Sequence, residues 1–143
     1  MMRYEDWLQE LPEAISGDRL WQLNTYRQAL FLGDIAQKDA ALIAEKRWWS
    51  LADQLARSAG SISANIAEGY SRPTPSDRTR FYAYALGSAR EARDWYFKAR
   101  TILGNEVADH RITLLAQVIR QLINLQKHYK RAIQEPSESY TVE

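Results

Sequence analysis

The sequence predicts an all-α protein, an up-down-up-down four-helix bundle with a short extra N-terminal helix. Three observations carry that prediction. Apolar residues recur at steps of three and four over long stretches instead of alternating. The six glycines and four prolines fall mostly at a few junctions, whereas an all-β chain would need turn residues throughout. At 143 residues, 45% hydrophobic and 26% charged, the chain has the size and composition of one packed domain.

Residues 1–18 form an N-terminal extension, in which Tyr4, Trp7, Leu8 and Leu11 give a short amphipathic helix broken near Pro12 and ended by Ser16-Gly17. The bundle occupies 19–134. Its first long helix is read from about Arg19 to Gln37, with Leu20, Leu23, Tyr26, Arg27 and Leu30 on or beside one face. The second is read from about Asp39 to Glu68, with Trp48, Leu51, Leu55, Ser58, Ile62, Asn65 and Gly69 as its seam and Gly69 as a left-handed C-terminal cap. Two prolines, Pro73 and Pro75, stiffen the next connection. The third helix is capped by Ser76, runs to about Leu103 and ends at Gly104-Asn105. Its seam is Phe81, Ala85, Ser88, Ala92, Trp95, Ala99 and Ile102, and small residues at Gly87, Ser88, Ala89 and Ala92 allow close helix approach. The fourth spans Asn105 to Gln134 on Ile112, Leu115, Ile119, Leu122, Gln126, Tyr129 and Ile133, widened by Leu114, Val118 and Leu125. Pro136 stops it, and 135–143 is read as a flexible acidic tail.

Several chemistries are excluded or unsupported. Without cysteine there is no disulfide, thiolate metal site or thiol nucleophile. The glycines are scattered, so no phosphate-cradling loop exists, and the two histidines belong to no metal-binding signature. Glu106, Asp109 and His110 are read as solvated groups at a helix start. No catalytic residue, metal or cofactor is expected. The start of the chain carries four acids, and no stretch approaches the roughly 18 apolar residues of a membrane span. A soluble, cytoplasmic protein with no membrane contact is expected.

The net charge of +1 conceals a separation along the chain. Residues 111–134 carry Arg111, Arg120, Lys127, Lys130 and Arg131 with no acid, while Glu135, Glu138 and Glu143 follow in the tail. Gln117, Arg120, Asn124, Lys127 and Arg131 repeat at helical spacing opposite the apolar seam. Such a stripe suits phosphate contacts, and Arg93 and Arg100 of the preceding helix extend it. Aromatics exceed what single seams can bury. Trp48-Trp49 and Trp95-Tyr96-Phe97 are consecutive, and at 100° per residue they sweep beyond one face, so a homo-oligomer is expected.

The most specific text is Ser61-Ile62-Ser63-Ala64-Asn65-Ile66-Ala67-Glu68-Gly69, followed by Arg72 in the loop and by Ala85-Leu86-Gly87-Ser88-Ala89-Arg90-Glu91. Over about residues 19–134 this pattern resembles the four-helix-bundle family of 23S ribosomal RNA intervening-sequence proteins. That family is similar to the accessory variability proteins of diversity-generating retroelements. The resemblance implies a ring-like homopentamer and a nucleic-acid-associated role, with RNA or DNA and a protein such as a reverse transcriptase as partners. Two segments depart from the pattern, residues 1–18 and the opening Ala40-Ala41-Leu42-Ile43-Ala44-Glu45. On physical grounds Ser61, Asn65, Glu68, Gly69, Arg72, Gly87, Ser88 and Glu91 are read as structural residues. Glu68 opposes its helix dipole and calls for a cation from Arg72, Arg57 or Arg90. The functional expectation is a non-enzymatic oligomeric accessory protein binding nucleic acid. Its alternatives are a protein-binding adaptor and an enzyme acting in the bundle interior.

Overall fold

The computed structural model describes residues 2–134, and the tail lies outside them. The described residues are helical throughout, without strands. Two short helices, α1 (Tyr4–Gln9) and α2 (Glu13–Ser16), and a 3-10 turn (Arg19–Gln22) precede α3 (Asn24–Glu45). There follow α4 (Trp49–Tyr70), α5 (Pro75–Lys98), the single turn α6 (Arg100–Leu103) and α7 (Asn105–Gln134). The four long helices close on one another as α3 on α4, α4 on α5, α5 on α7 and α7 on α3. Cross-helix contacts show that α4 runs antiparallel to α5, and α3 to α7. Ser61 meets Ser88 while Gly69 meets Phe81 and Tyr82, and Thr25 meets Gln121 while Asp39 meets Arg111.

The first long turn differs from the expected one. α3 does not end at Gln37 but continues through Ala40-Ala41-Leu42-Ile43-Ala44, good helix formers that bury Ala40 and Ile43. The chain reverses at Lys46-Arg47-Trp48 instead, with Arg47 at φ 66°, the one non-glycine residue with positive φ among those described. No glycine or proline marks that turn. At the head of α5 the cap is Thr74 and not Ser76: its Oγ1 accepts the Asp77 N–H at 3.2 Å. Pro75 then takes the first helical position, where its missing N–H costs nothing.

Gly69 is not a left-handed cap. It lies buried within α4, and a β-carbon there would sit 2.9 Å from Tyr82 Cε1 and 3.1 Å from Phe81 Cβ. Its missing side chain lets α5 come close. The core stripe of α5 also shifts by one residue from the expected seam, to Tyr82, Ala85, Ala89, Ala92, Tyr96 and Ala99. A helix serving two neighbours buries the stripe that points between them. Phe81, Ser88 and Trp95 flank that stripe half-buried, and Gly87 is exposed, with no other helix within 4 Å of where a β-carbon would sit, so it does not mediate the close approach.

The N-terminal segment packs on α3. Trp7 is buried, donates Nε1–H to Asp34 Oδ2 at 2.8 Å and meets Phe31 edge-on at 5.2 Å, with Tyr4 and Trp21 beside it. Among the described residues no helix is long and apolar enough to cross a membrane.

Candidate nucleic-acid interface

α7 is a 30-residue helix whose two faces follow its sequence pattern. Leu115, Val118, Ile119 and Leu122 are buried, which turns Arg120, Asn124, Lys127 and Arg131 outward, with Lys130 also exposed. Among the described residues Arg120, Lys127, Lys130 and Arg131 have no ion-pair or hydrogen-bond partner. Four cations thus project into solvent along a helix with no acid after Asp109. Arg111, the fifth basic residue of this stretch, does not belong to them, being only 5% exposed.

Arg93 lines a shallow groove between α5 and α7, and Arg100 stands near it on α6. Arg90, Arg93, Asp94 and Phe97 of α5 and Ile112 of α7 enclose a hollow of about 400 Å³. Arg100 reaches it indirectly. Its guanidinium lies 3.8 Å from the Phe97 ring centroid and donates Nη1–H to the Phe97 carbonyl at 2.8 Å. Arg100 stands just before α7 begins, whereas Lys127 is about 33 Å along α7 from Asn105, at 1.5 Å per residue. The six expected contact residues are therefore spread along the bundle and not gathered in one cluster.

Ser61, Asn65, Gly69 and Ser88 build the α4–α5 contact, and Glu68 and Arg72 the corner joining those helices. Ser61 Oγ donates to Ser88 Oγ at 2.7 Å across the two helices, and Asn65 Nδ2–H returns to the Ser61 carbonyl at 2.9 Å. Of the three candidate partners, Arg72 pairs with Glu68, at 2.7 Å, and its guanidinium also lies 4.7 Å from the Phe81 ring centroid. Arg78 ties the corner to α7, donating Nε–H to the Arg72 carbonyl and Nη1–H to Tyr129 Oη at 3.1 Å. Glu91 accepts the Trp95 indole N–H at 3.0 Å.

Sequence reasoning missed a buried polar network. Asp39 of α3 is 3% exposed, and its Oδ2 accepts the Tyr96 hydroxyl at 2.6 Å and Arg111 Nε–H at 2.8 Å. Arg111 Nη2–H reaches Asp39 Oδ1 at 3.1 Å, and its Nη1 faces His110 Nδ1 at 2.8 Å. Burial pushes the Tyr96 hydroxyl pKa far up, and the Asp39 carboxylate reinforces it. Burial alone would lower the Arg111 pKa, but hydrogen bonds and charge from Asp39 raise it overall. His110 is driven the other way, by burial and then by the Arg111 charge. The pair carries no free charge, so it is a three-helix tie. Its one sequence signal was an Asp and an Arg each at a core-facing helical position. Among the described residues no group of three or more His, Asp or Glu is placed to hold a metal ion.

Comparison with known proteins gives the family and the fold. Residues 22–130 match the family described as 23S rRNA-intervening sequence protein. The chain belongs to that family. No curated protein matches the chain in sequence. In fold, this intervening-sequence family member is similar to a crystal structure from Bacteroides thetaiotaomicron, described as a protein with unknown function from the S23 ribosomal protein family. The TM-score is 0.68 at 22% identity, over 72% of this chain and 98% of that one. The motif corner, the basic face of α7 as far as Lys130 and the Asp39–Arg111 tie fall within the matched span, while Trp7 precedes it and Arg131 follows it.

Proposed function

We propose that this family member is a non-enzymatic, oligomeric accessory protein that binds nucleic acid through the exposed cationic face of α7. The observation that carries the reading is the run of Arg120, Lys127, Lys130 and Arg131, all exposed and, among the described residues, unpaired, on a helix that carries no carboxylate after Asp109. Phosphate contacts by such residues supply most sequence-independent affinity. Arg93 of α5 and Arg100 of α6 are the other contact residues in this reading. The ligand is RNA or DNA, since the family's description names the 23S rRNA intervening sequence and no binding activity. A cytoplasmic location goes with that ligand.

Assembly is a separate part of the proposal. Trp48 and Trp49 are 59% and 66% exposed, and Leu42 of α3 is half-exposed. Burying these side chains against a second copy removes a large apolar surface from water. A ring-like homopentamer is the proposed assembly, on the resemblance already described. The likeness to retroelement accessory proteins makes a reverse transcriptase a candidate protein partner.

Fluorescence anisotropy with labelled structured RNA and duplex DNA, at low and near-physiological salt, tests the reading. Binding should fall steeply with salt. Arg120→Glu and Lys127→Glu should weaken it for every sequence, and each lost phosphate contact should reduce the salt slope by about 0.7 to 0.9. Unchanged affinity in these variants would overturn the assignment. The exposed Trp48-Trp49 pair favours the second reading, a protein-binding adaptor. Absence of binding at low salt, with a protein partner recovered equally after nuclease treatment, would establish it.

A further inference from the structure

The groove between α5 and α7 has a feature that phosphate binding does not require. Phe97 is 53% exposed, yet it is not loose on the surface. Arg100 covers one side of the ring at 3.8 Å and is itself held by its hydrogen bond to the Phe97 carbonyl. The ring lines the hollow of about 400 Å³ with Arg90, Arg93, Asp94 and Ile112. Arg90 and Arg93 have no ion-pair or hydrogen-bond partner among the described residues. Asp94 is fixed at the rim by Lys98 at 2.8 Å, and Lys98 is steadied in turn by the Trp95 ring at 4.6 Å.

This inference rests on the nucleic-acid reading above and narrows its ligand class. We infer that the hollow receives one unstacked nucleobase, stacked on Phe97, so that the ligand is single-stranded or looped nucleic acid and not continuous duplex. The chemistry is complementary at each wall. An aromatic ring backed by a guanidinium is the platform on which proteins stack single-strand bases, and every base has a face to offer it. Arg90 and Arg93 stand where the flanking phosphates of that nucleotide would pass. The Asp94 carboxylate is an acceptor for an exocyclic amine, which favours cytosine, adenine or guanine over uracil or thymine. A paired base in a duplex is stacked on both faces and cannot enter.

The test uses the full chain with one sequence as a labelled single strand and as a duplex, plus a single strand carrying 2-aminopurine. Wild type should bind the single strand more tightly and quench 2-aminopurine. Phe97→Ala should lose about tenfold or more of single-strand affinity, leave duplex affinity unchanged and abolish quenching, while Phe97→Trp retains both. Because stacking releases no counterions, the salt slope of Phe97→Ala should equal that of wild type, whereas Arg120→Glu should reduce it. Unaltered single-strand binding by Phe97→Ala, with Arg120→Glu still weakening both ligands, overturns the stacking site and leaves the cationic face standing. Absence of binding by wild type to either ligand at low salt overturns the underlying reading instead. A lower assembly mass for Phe97→Ala in light scattering would assign the ring to a contact between copies and also overturn the site.

Discussion

Single residues decide several properties of this bundle, and the contrast among its glycines shows how. In a helix interior, glycine costs about 1 kcal/mol relative to alanine, so replacement normally stabilises. Gly60→Ala and Gly87→Ala meet open space and should each raise stability by up to about 1 kcal/mol. Gly69→Ala should do the opposite, lowering it by about 1 to 2 kcal/mol, because the new methyl would press on the buried Tyr82 ring at 2.9 Å. Urea denaturation of the three variants checks the sign directly. Asp39 is the other decisive residue. Asp39→Ala leaves the Arg111 guanidinium buried without a counter-charge and should cost about 3 to 5 kcal/mol. Removing both partners, as Asp39→Leu with Arg111→Met, should cost less than the single change, a non-additivity that a double-mutant cycle measures. The periodic patterns could be read from the chain, but the pairing of residues 39 and 111 could not. An acid and a base 72 positions apart meet only when α3 and α7 are docked.

At the scale of elements, α7 was legible because its polar and apolar positions agree with one helical period over 30 residues. The α4–α5 corner was legible in part: Glu68 and Arg72 are one helical turn apart, so their pairing needs no tertiary information. The α3–α4 turn was not legible, because Lys46-Arg47-Trp48 contains no turn-forming residue and is imposed by helices docked on either side. Arg47 therefore carries a backbone conformation that glycine adopts more easily. Arg47→Gly should stabilise the turn by up to about 1 kcal/mol, and Arg47→Val should destabilise it, both read from thermal unfolding. On α5 the consecutive aromatics obscured the seam: Tyr96 enters the core and Phe97 leaves it, although both suit either role by composition.

For the whole molecule, the buried tyrosines contribute a loss of stability at alkaline pH. Burial raises the hydroxyl pKa of both Tyr82 and Tyr96 above the ordinary value of 10.0. The folded state thus holds protons that the unfolded chain releases, and this contribution is complete below pH 10 and declines above it. Stability should be insensitive to these groups up to about pH 10 and then fall, with Tyr96→Phe reducing the steepness in denaturant titrations across pH 9 to 12. Assembly is the other molecular property. Light scattering should give a multiple of the 16.6 kDa chain, and Trp48→Ala with Trp49→Ala should lower that mass. A concentration-independent monomer would remove the assembly proposal without touching α7.

By itself the sequence determined the helical class, the long helices and most of their connections, the outward cationic face of α7 and the family resemblance. All of these depend on neighbours within a turn or two, where 3.6-residue periodicity and linked motifs act locally. Only the tertiary structure decided which aromatic of each run is buried, where α3 ends, why Gly69 must lack a side chain, and that Arg111 serves the core. Those outcomes depend on which surfaces of separate helices meet, and burial is a property of that meeting, not of any residue alone.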